Sequence, residues 1–211
     1  MVEDVRRHWD AAFAQGDENR SWFQEQATTS VAMLEGAGVD PLDPVIDVGG
    51  GSARLVDDLL GRGFRDLTVL DVSPLALALA QRRLGGRAGE VVWIPQDLLS
   101  WKPIRRYAVW HDRAVFHFLV AESARAAYRR VLDVATEPGA VAVVGTFAPH
   151  GPTQCSGLPV ARYDAAQLAA QFGPEWELTD SRAVDHRTPA GAVQPFTWVA
   201  LRRRTSGVAL D

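Results

Sequence analysis

The 211-residue sequence predicts one α/β domain: a largely parallel sheet covered by helices on both faces. Three observations carry that expectation. Short apolar runs alternate with helix-period segments along most of the chain, and the first of these runs ends directly in glycines. The last two runs lie too close together for a crossover helix, so they are expected to form an antiparallel pair at one edge. The composition agrees. Hydrophobic residues make up 47% and charged residues 23%, a globular balance that excludes a disordered chain. A chain of this length buries roughly 70% of its extended surface, enough to fold without a disulfide or metal staple. The single cysteine, Cys155, excludes an intramolecular disulfide framework and fits a reducing compartment.

Residues 1–38 are expected to form two helices, a helical lid or extension on a core spanning 39–211. Val5, Trp9 and Phe13 recur every four residues; a Gly-Asp-Glu-Asn break then leads into the second helix, SWFQEQATTSVAMLEGAG. VIDVGGG follows Asp43-Pro44 as a strand running into a turn. SARLVDDLLGRG is a helix with Leu55, Leu59 and Leu60 on one face and glycine at its end. LTVLDVS is the second strand, after which Ser73 and Pro74 supply a cap and first-turn proline for LALALAQRRLGG. EVVWIPQDL and RRYAVWHD are strands three and four. AESARAAYRRVLDVAT is a helix stopped by Glu-Pro-Gly, GAVAVVGTFA is strand five, and DAAQLAAQFG is a further helix before the closing pair WELTDSRAV and PFTWVALRR. The irregular stretch PHGPTQCSGLPVARY is long enough to read as a functional loop.

Several function classes are disfavoured. A net charge of -4 and a pI near 5.7 give no general attraction to nucleic acid or an anionic membrane. The start MVEDVRRHWDAAF lacks the apolar core of a signal peptide, and no apolar run reaches the ~20 residues that span a bilayer. The expectation is a cytoplasmic protein, monomer or homodimer, acting on a small molecule. His111, His117, His150, His186 and Cys155 match no metal-ligand spacing, so no metal is expected.

Ligands of open parallel sheets bind beyond the carboxyl ends of the strands. There the sequence places Asp47, Gly49, Gly50 and Gly51 after strand one, Asp71 and Val72 after strand two, and Gln96, Asp97 and Leu98 after strand three. Glycines let a ligand approach the backbone, and Asp71, 20 residues after Gly51, suits the two hydroxyls of a ribose. Asp97 suits an adenine amino group. A phosphate-binding P-loop is excluded, because no GxxxxGK[ST] occurs. A dinucleotide loop fits poorly: Arg54 stands where the third small residue belongs. An acid two residues before the first glycine would repel a pyrophosphate, and suits a ligand bearing positive charge and an amino group.

These segments resemble the class I S-adenosylmethionine-dependent methyltransferases. VIDVGGGSA looks like their first motif, LTVLDVS the second, IPQDL the third and RRYAVWHDRAVFHFL the fourth, with Ala53 where many members have glycine. The resemblance implies a Rossmann-like seven-stranded sheet of order 3-2-1-4-5-7-6 with strand seven antiparallel. It implies S-adenosyl-L-methionine as cofactor and S-adenosyl-L-homocysteine as product. Asp47 and the glycines would surround the methionine portion, Asp71 the ribose, and Asp97 with Leu98 the adenine.

Methyl transfer from a sulfonium needs orientation and proton removal more than covalent help. The fourth motif offers His111 and His117 as general bases and Asp112 to orient one of them or to carry charge for a basic substrate; the other reading is that Asp112 and Arg113 form a structural bridge while the histidines cap helices. Trp22, Arg113, Cys155 and Arg162 are the expected acceptor contacts, although a lone cysteine also serves simply as a packed residue. Trp9, Trp22 and Phe23 read equally as a lid or as packing anchors. The pattern is similar to two subgroups, the thiopurine- and thiol-type small-molecule enzymes and the elongation-factor lysine methyltransferases. A small-molecule acceptor is favoured. A protein lysine substrate and a non-catalytic cofactor binder are the alternatives.

Overall fold

The computed structural model describes residues 2–16 and 18–205. Met1, residues 206–211 and Asp17, which falls in the break expected between the N-terminal helices, lie outside the described residues. Helix α1 is Val2–Ala14 and α2 is Thr28–Gly36. The core then alternates β1 (Val45–Val48), α3 (Leu55–Gly61), β2 (Leu67–Asp71), α4 (Pro74–Leu84), β3 (Val91–Pro95), β4 (Tyr107–Arg113), α5 (Glu122–Ala135) and β5 (Thr136–Phe147). A two-stranded hairpin, β6 (Gln154–Cys155) with β7 (Leu158–Pro159), interrupts the long loop, and α6 (Ala165–Ala170), β8 (Trp176–Arg187) and β9 (Val193–Arg203) close the domain.

The main sheet runs β3-β2-β1-β4-β5-β9-β8. Counting only its own strands, this is the expected order 3-2-1-4-5-7-6, with β9 antiparallel between β5 and β8. Strand order reverses between β1 and β4, the place where such sheets open a crevice at their carboxyl ends. Each face carries its own core. Val45, Val109 and Val143 pack with α2 and α3 through Val31, Leu34, Leu55 and Leu59; Ile46, Trp110 and Val144 pack with α5 and α6 through Tyr128, Leu132 and Leu168.

Local chemistry explains the helix starts. Ser73 Oγ accepts from the Ala76 N–H at 3.1 Å and Pro74 opens α4, as expected; the same hydroxyl donates to Asp10 of α1 at 2.5 Å, fixing the N-terminal helix over the end of β2. Asp164 and Gln167 form a reciprocal cap on α6.

Two boundary expectations are corrected. The second helix begins at Thr28, not Ser21, so Trp22 and Phe23 lie in a loop. The carbonyls of Ser21 and Trp22 accept hydrogen bonds from His186 and Arg113, so tertiary partners take groups that a helix would have paired internally. Helix α5 stops at Ala135, ahead of Glu137-Pro138-Gly139. Those three residues belong to β5, where Thr136 pairs with Tyr107.

Candidate active site

The pleat of β1 and β4 decides which side chains can share a cavity, because successive residues point to opposite faces of a sheet. Asp47 pairs with His111 across the two strands, and both face α2. The His111 Nδ1–H donates to Asp47 Oδ1 at 2.7 Å, and its Nε2 shares a hydrogen bond with Ser30 Oγ of α2 at 2.9 Å. All three side chains are buried. They line a cavity of about 350 Å³ over the carboxyl ends of the parallel strands, a volume within the small-molecule range.

Seven of the nine residues expected to hold the cofactor border this cavity: Asp47, Gly49, Gly50, Asp71, Val72, Asp97 and Leu98. The tight turn after β1 requires its glycines. Gly49 has φ +63°, and a Cβ there would sit 2.0 Å from Val115 Cγ2. At Gly50 a Cβ would come within 2.4 Å of Asp47 Oδ2. Gly51 stands behind the cavity wall, where its N–H bonds to the Asp71 carboxylate. Asp71 also accepts from the Ser73 N–H at 2.8 Å. Burial is the main cause that raises its pKa to about 7, with the neighbouring Asp47 charge adding to it and the two backbone donors opposing it. Gln96 is exposed and does not border the cavity, because the turn after β3 directs Asp97 and Leu98 inward instead.

The expected catalytic trio does not assemble. Asp112 points to the other face of the sheet, away from the cavity, and is fully buried. There it accepts from the Val115 N–H (2.9 Å), the Phe116 N–H (3.1 Å) and the Tyr128 hydroxyl (2.8 Å), while Trp110 donates to that hydroxyl. It closes the turn after β4, faces away from the cavity and, among the described residues, hydrogen-bonds no histidine and makes no ion pair with Arg113, so none of the three roles read for it from the sequence, orienting a histidine, charge for a basic substrate or a bridge to Arg113, fits its surroundings. Burial raises its pKa to about 6 against these donors. His117 is also fully buried, packed against Phe118 and Phe147 with neither ring nitrogen hydrogen-bonded among the described residues. Burial, helped by the Arg113 charge, pushes its pKa down to about 3, so it is neutral at physiological pH. His111 does border the cavity, but both ring nitrogens are engaged. A proton leaving an acceptor would reach Nε2 only through Ser30.

Of the expected acceptor contacts, Trp22, Arg113 and Cys155 border the cavity. Arg162 is exposed and donates to the Gly151 carbonyl, outside it. Burial lifts the Cys155 thiol to about 11 although Arg113 pulls it down, so it stays protonated. Trp9, Trp22 and Phe118 form edge-to-face contacts that make an aromatic wall, Phe13 joins through Trp22, and Phe23 lines the cavity beside Arg54.

Residues 45–139, from β1 into the start of β5, match the model of a family described as the methyltransferase domain. That matched stretch, a little under half of the chain, is similar to a methyltransferase domain. Over 36% of its length the chain is 31% identical to EEF1A lysine methyltransferase 2 of Mus musculus, a match spanning 35% of that relative. Among solved structures, it is similar to one from echinomycin biosynthesis, concerned with converting a disulfide bond into a thioacetal group: TM-score 0.77, 21% identity, 98% of this chain and 95% of the other. It is also similar to 1,6-didemethyltoxoflavin-N1-methyltransferase of Burkholderia thailandensis, solved with bound 1,6-didemethyltoxoflavin and S-adenosylhomocysteine: TM-score 0.69, 18% identity, 96% and 86% covered.

Two further residues that motif reading leaves aside border the cavity. Ser30 sits on a helix outside the matched stretch, and its only signal was a hydroxyl on an otherwise buried apolar face. Arg54 looked like a departure from a dinucleotide loop. In the structure it borders the cavity beside the glycines and lies 5.5 Å from the Phe23 ring centroid.

Proposed function

We propose that this domain transfers a methyl group from S-adenosylmethionine to a nucleophilic atom of a small-molecule acceptor. The observation that carries the reading is one cavity bordered by Asp47, Gly49, Gly50, Asp71 and Asp97 together with aromatic and apolar side chains. The donor set fits the cofactor. Asp71 and Asp97 offer acceptors to ribose hydroxyls and an adenine amino group, and the glycine turn lets a ligand reach the backbone. When bound, the cofactor supplies a methyl group activated by an adjacent sulfonium.

The protein's share is orientation and exclusion of water. Asp47, held by His111, presents its carboxylate to the amino end of the cofactor. His111 is a positioning residue, and Ser30, which borders the cavity and bonds its Nε2, can pass a proton from the cavity to that nitrogen. Trp9, Trp22 and Phe118 confine a flat, apolar acceptor. A lysine acceptor is the second reading, supported by the partial likeness to the lysine methyltransferase.

Thermal unfolding tests the cofactor end. S-adenosylhomocysteine at ~100 times its dissociation constant is expected to add about 2.7 kcal/mol, with no effect of NAD. Stabilisation by NAD alone would overturn the reading. Stabilisation by S-adenosylhomocysteine without turnover of any thiol, phenol, amine or carboxylic acid would make the domain a non-catalytic binder.

A further inference from the structure

Resting on that reading of the cavity, we propose that the acceptor carries an anionic group, a carboxylate or similar oxyanion on an apolar body, which pairs with Arg113. The residue ends β4 and reaches the acceptor side of the cavity. Its Nη1 donates to the Trp22 carbonyl at 2.9 Å, and its guanidinium lies 5.2 Å from the Phe196 ring centroid. Its Nη2 is buried and has no hydrogen-bond partner among the described residues. Burial lowers the Arg113 pKa to about 10, which leaves it protonated at neutral pH.

A partly buried cation with a buried, unused donor is costly unless a counter-charge completes it. Among the described residues no carboxylate pairs with it directly. The Asp47 charge acts on it from nearby, but that carboxylate is hydrogen-bonded to His111, and Asp185, which borders the small adjoining cavity, makes no ion pair with Arg113. Cys155 and His117 stay neutral at physiological pH, so neither offsets the charge. Arg83 shows the contrast: it pairs with Asp57 at 2.6 Å and donates to two carbonyls of the glycine turn.

A ligand oxyanion would accept from Nη2 with the added strength of a charge-assisted bond. An incoming ammonium would meet repulsion, which favours an acidic small molecule over a lysine. The cofactor's own carboxylate offers the same chemistry. For that group Arg54 stands closer at hand, beside the glycine turn, with its Nε buried and unpartnered.

The test is calorimetric titration of wild type, Arg113→Met and Arg113→Lys, each with and without S-adenosylhomocysteine. The probes are benzoate, 1-naphthoate and indole-3-acetate, each set against its neutral amide. At least one acid is expected to bind wild type tenfold or more tightly than its amide. That preference should vanish in Arg113→Met and persist in Arg113→Lys. No acid preference in wild type, or a preference that survives Arg113→Met, overturns the proposal. A second arm compares S-adenosylhomocysteine with 5′-methylthioadenosine, which lacks the amino-acid end. A tenfold loss for the former alone in Arg113→Met would assign Arg113 to the cofactor and overturn the proposal; equal affinities in wild type and variant support it. Failure of wild type to bind S-adenosylhomocysteine sinks the cofactor reading instead, while the acid–amide comparison on unloaded protein still judges Arg113. Should Arg113→Met not fold, wild type and Arg113→Lys decide.

Discussion

Two buried carboxylates stand at the carboxyl ends of strands on either side of β1, Asp71 at the end of β2 and Asp112 in β4. In both, burial drives the pKa upward. They differ in what surrounds the oxygens. Asp112 is enclosed by its own protein and accepts from two backbone N–H groups and the Tyr128 hydroxyl. Asp71 accepts from two backbone groups and has its remaining capacity open to the cavity. A raised carboxylate pKa therefore does not by itself mark a working acid. Unused acceptor capacity facing a cavity does.

The largest expected effect breaks the comparison on the Asp112 side. Asp112→Ala leaves three buried donors unpaired and should lower the unfolding free energy by about 3–5 kcal/mol, a large share of a domain's margin. Urea denaturation checks this. The folded fraction should still bind S-adenosylhomocysteine with wild-type affinity, and a selective loss of binding would restore a role at the site.

Asp71→Asn should do the opposite, sparing the fold and weakening S-adenosylhomocysteine roughly 100-fold at pH 8 by removing charge-assisted bonds. The sign of the pH effect follows from the raised pKa. Ribose hydroxyls bind the ionised carboxylate, so wild-type affinity should strengthen up to tenfold per pH unit from about 5 to about 7, then level off. The Asn variant should show no such rise. Apart from ligand, stability lent by the raised carboxyls is complete below about pH 4 and is lost as pH climbs through about 6 for Asp112 and about 7 for Asp71. A wild-type affinity flat across that range would show that Asp71 does not face the cofactor.

The smallest effect concerns His117. Its two ring nitrogens are buried without partners, so His117→Leu should be neutral or stabilising by about 1 kcal/mol, with methyl transfer unchanged. It should also remove a sensitivity of opposite sign, because stability lent by a histidine with a depressed pKa is present above about pH 6.5 and lost as pH falls toward 3. A large drop in turnover with normal S-adenosylhomocysteine affinity would return His117 to the site.

What the sequence determined alone is the element order and most of the residues at the strand ends that border one part of the cavity. Those signals are local: a run of apolar residues, the glycines after it, and an acid at the close of the next two strands. Ser73-Pro74 announced a helix start in the same way, within four residues. The acceptor end was legible only as a list of polar residues around strand four. Alternation says that His111 and Asp112 face opposite ways, but not which way the cavity lies. That depends on α2 bringing Ser30 to His111 across 81 residues and the loop bringing the Trp22 carbonyl to Arg113 across 91. Tertiary packing likewise turned His117 inward and Arg162 outward, and left Arg113 without a directly paired carboxylate among the described residues. Whether a buried charge has a partner is a property of everything packed around it, and no spacing within one segment encodes that.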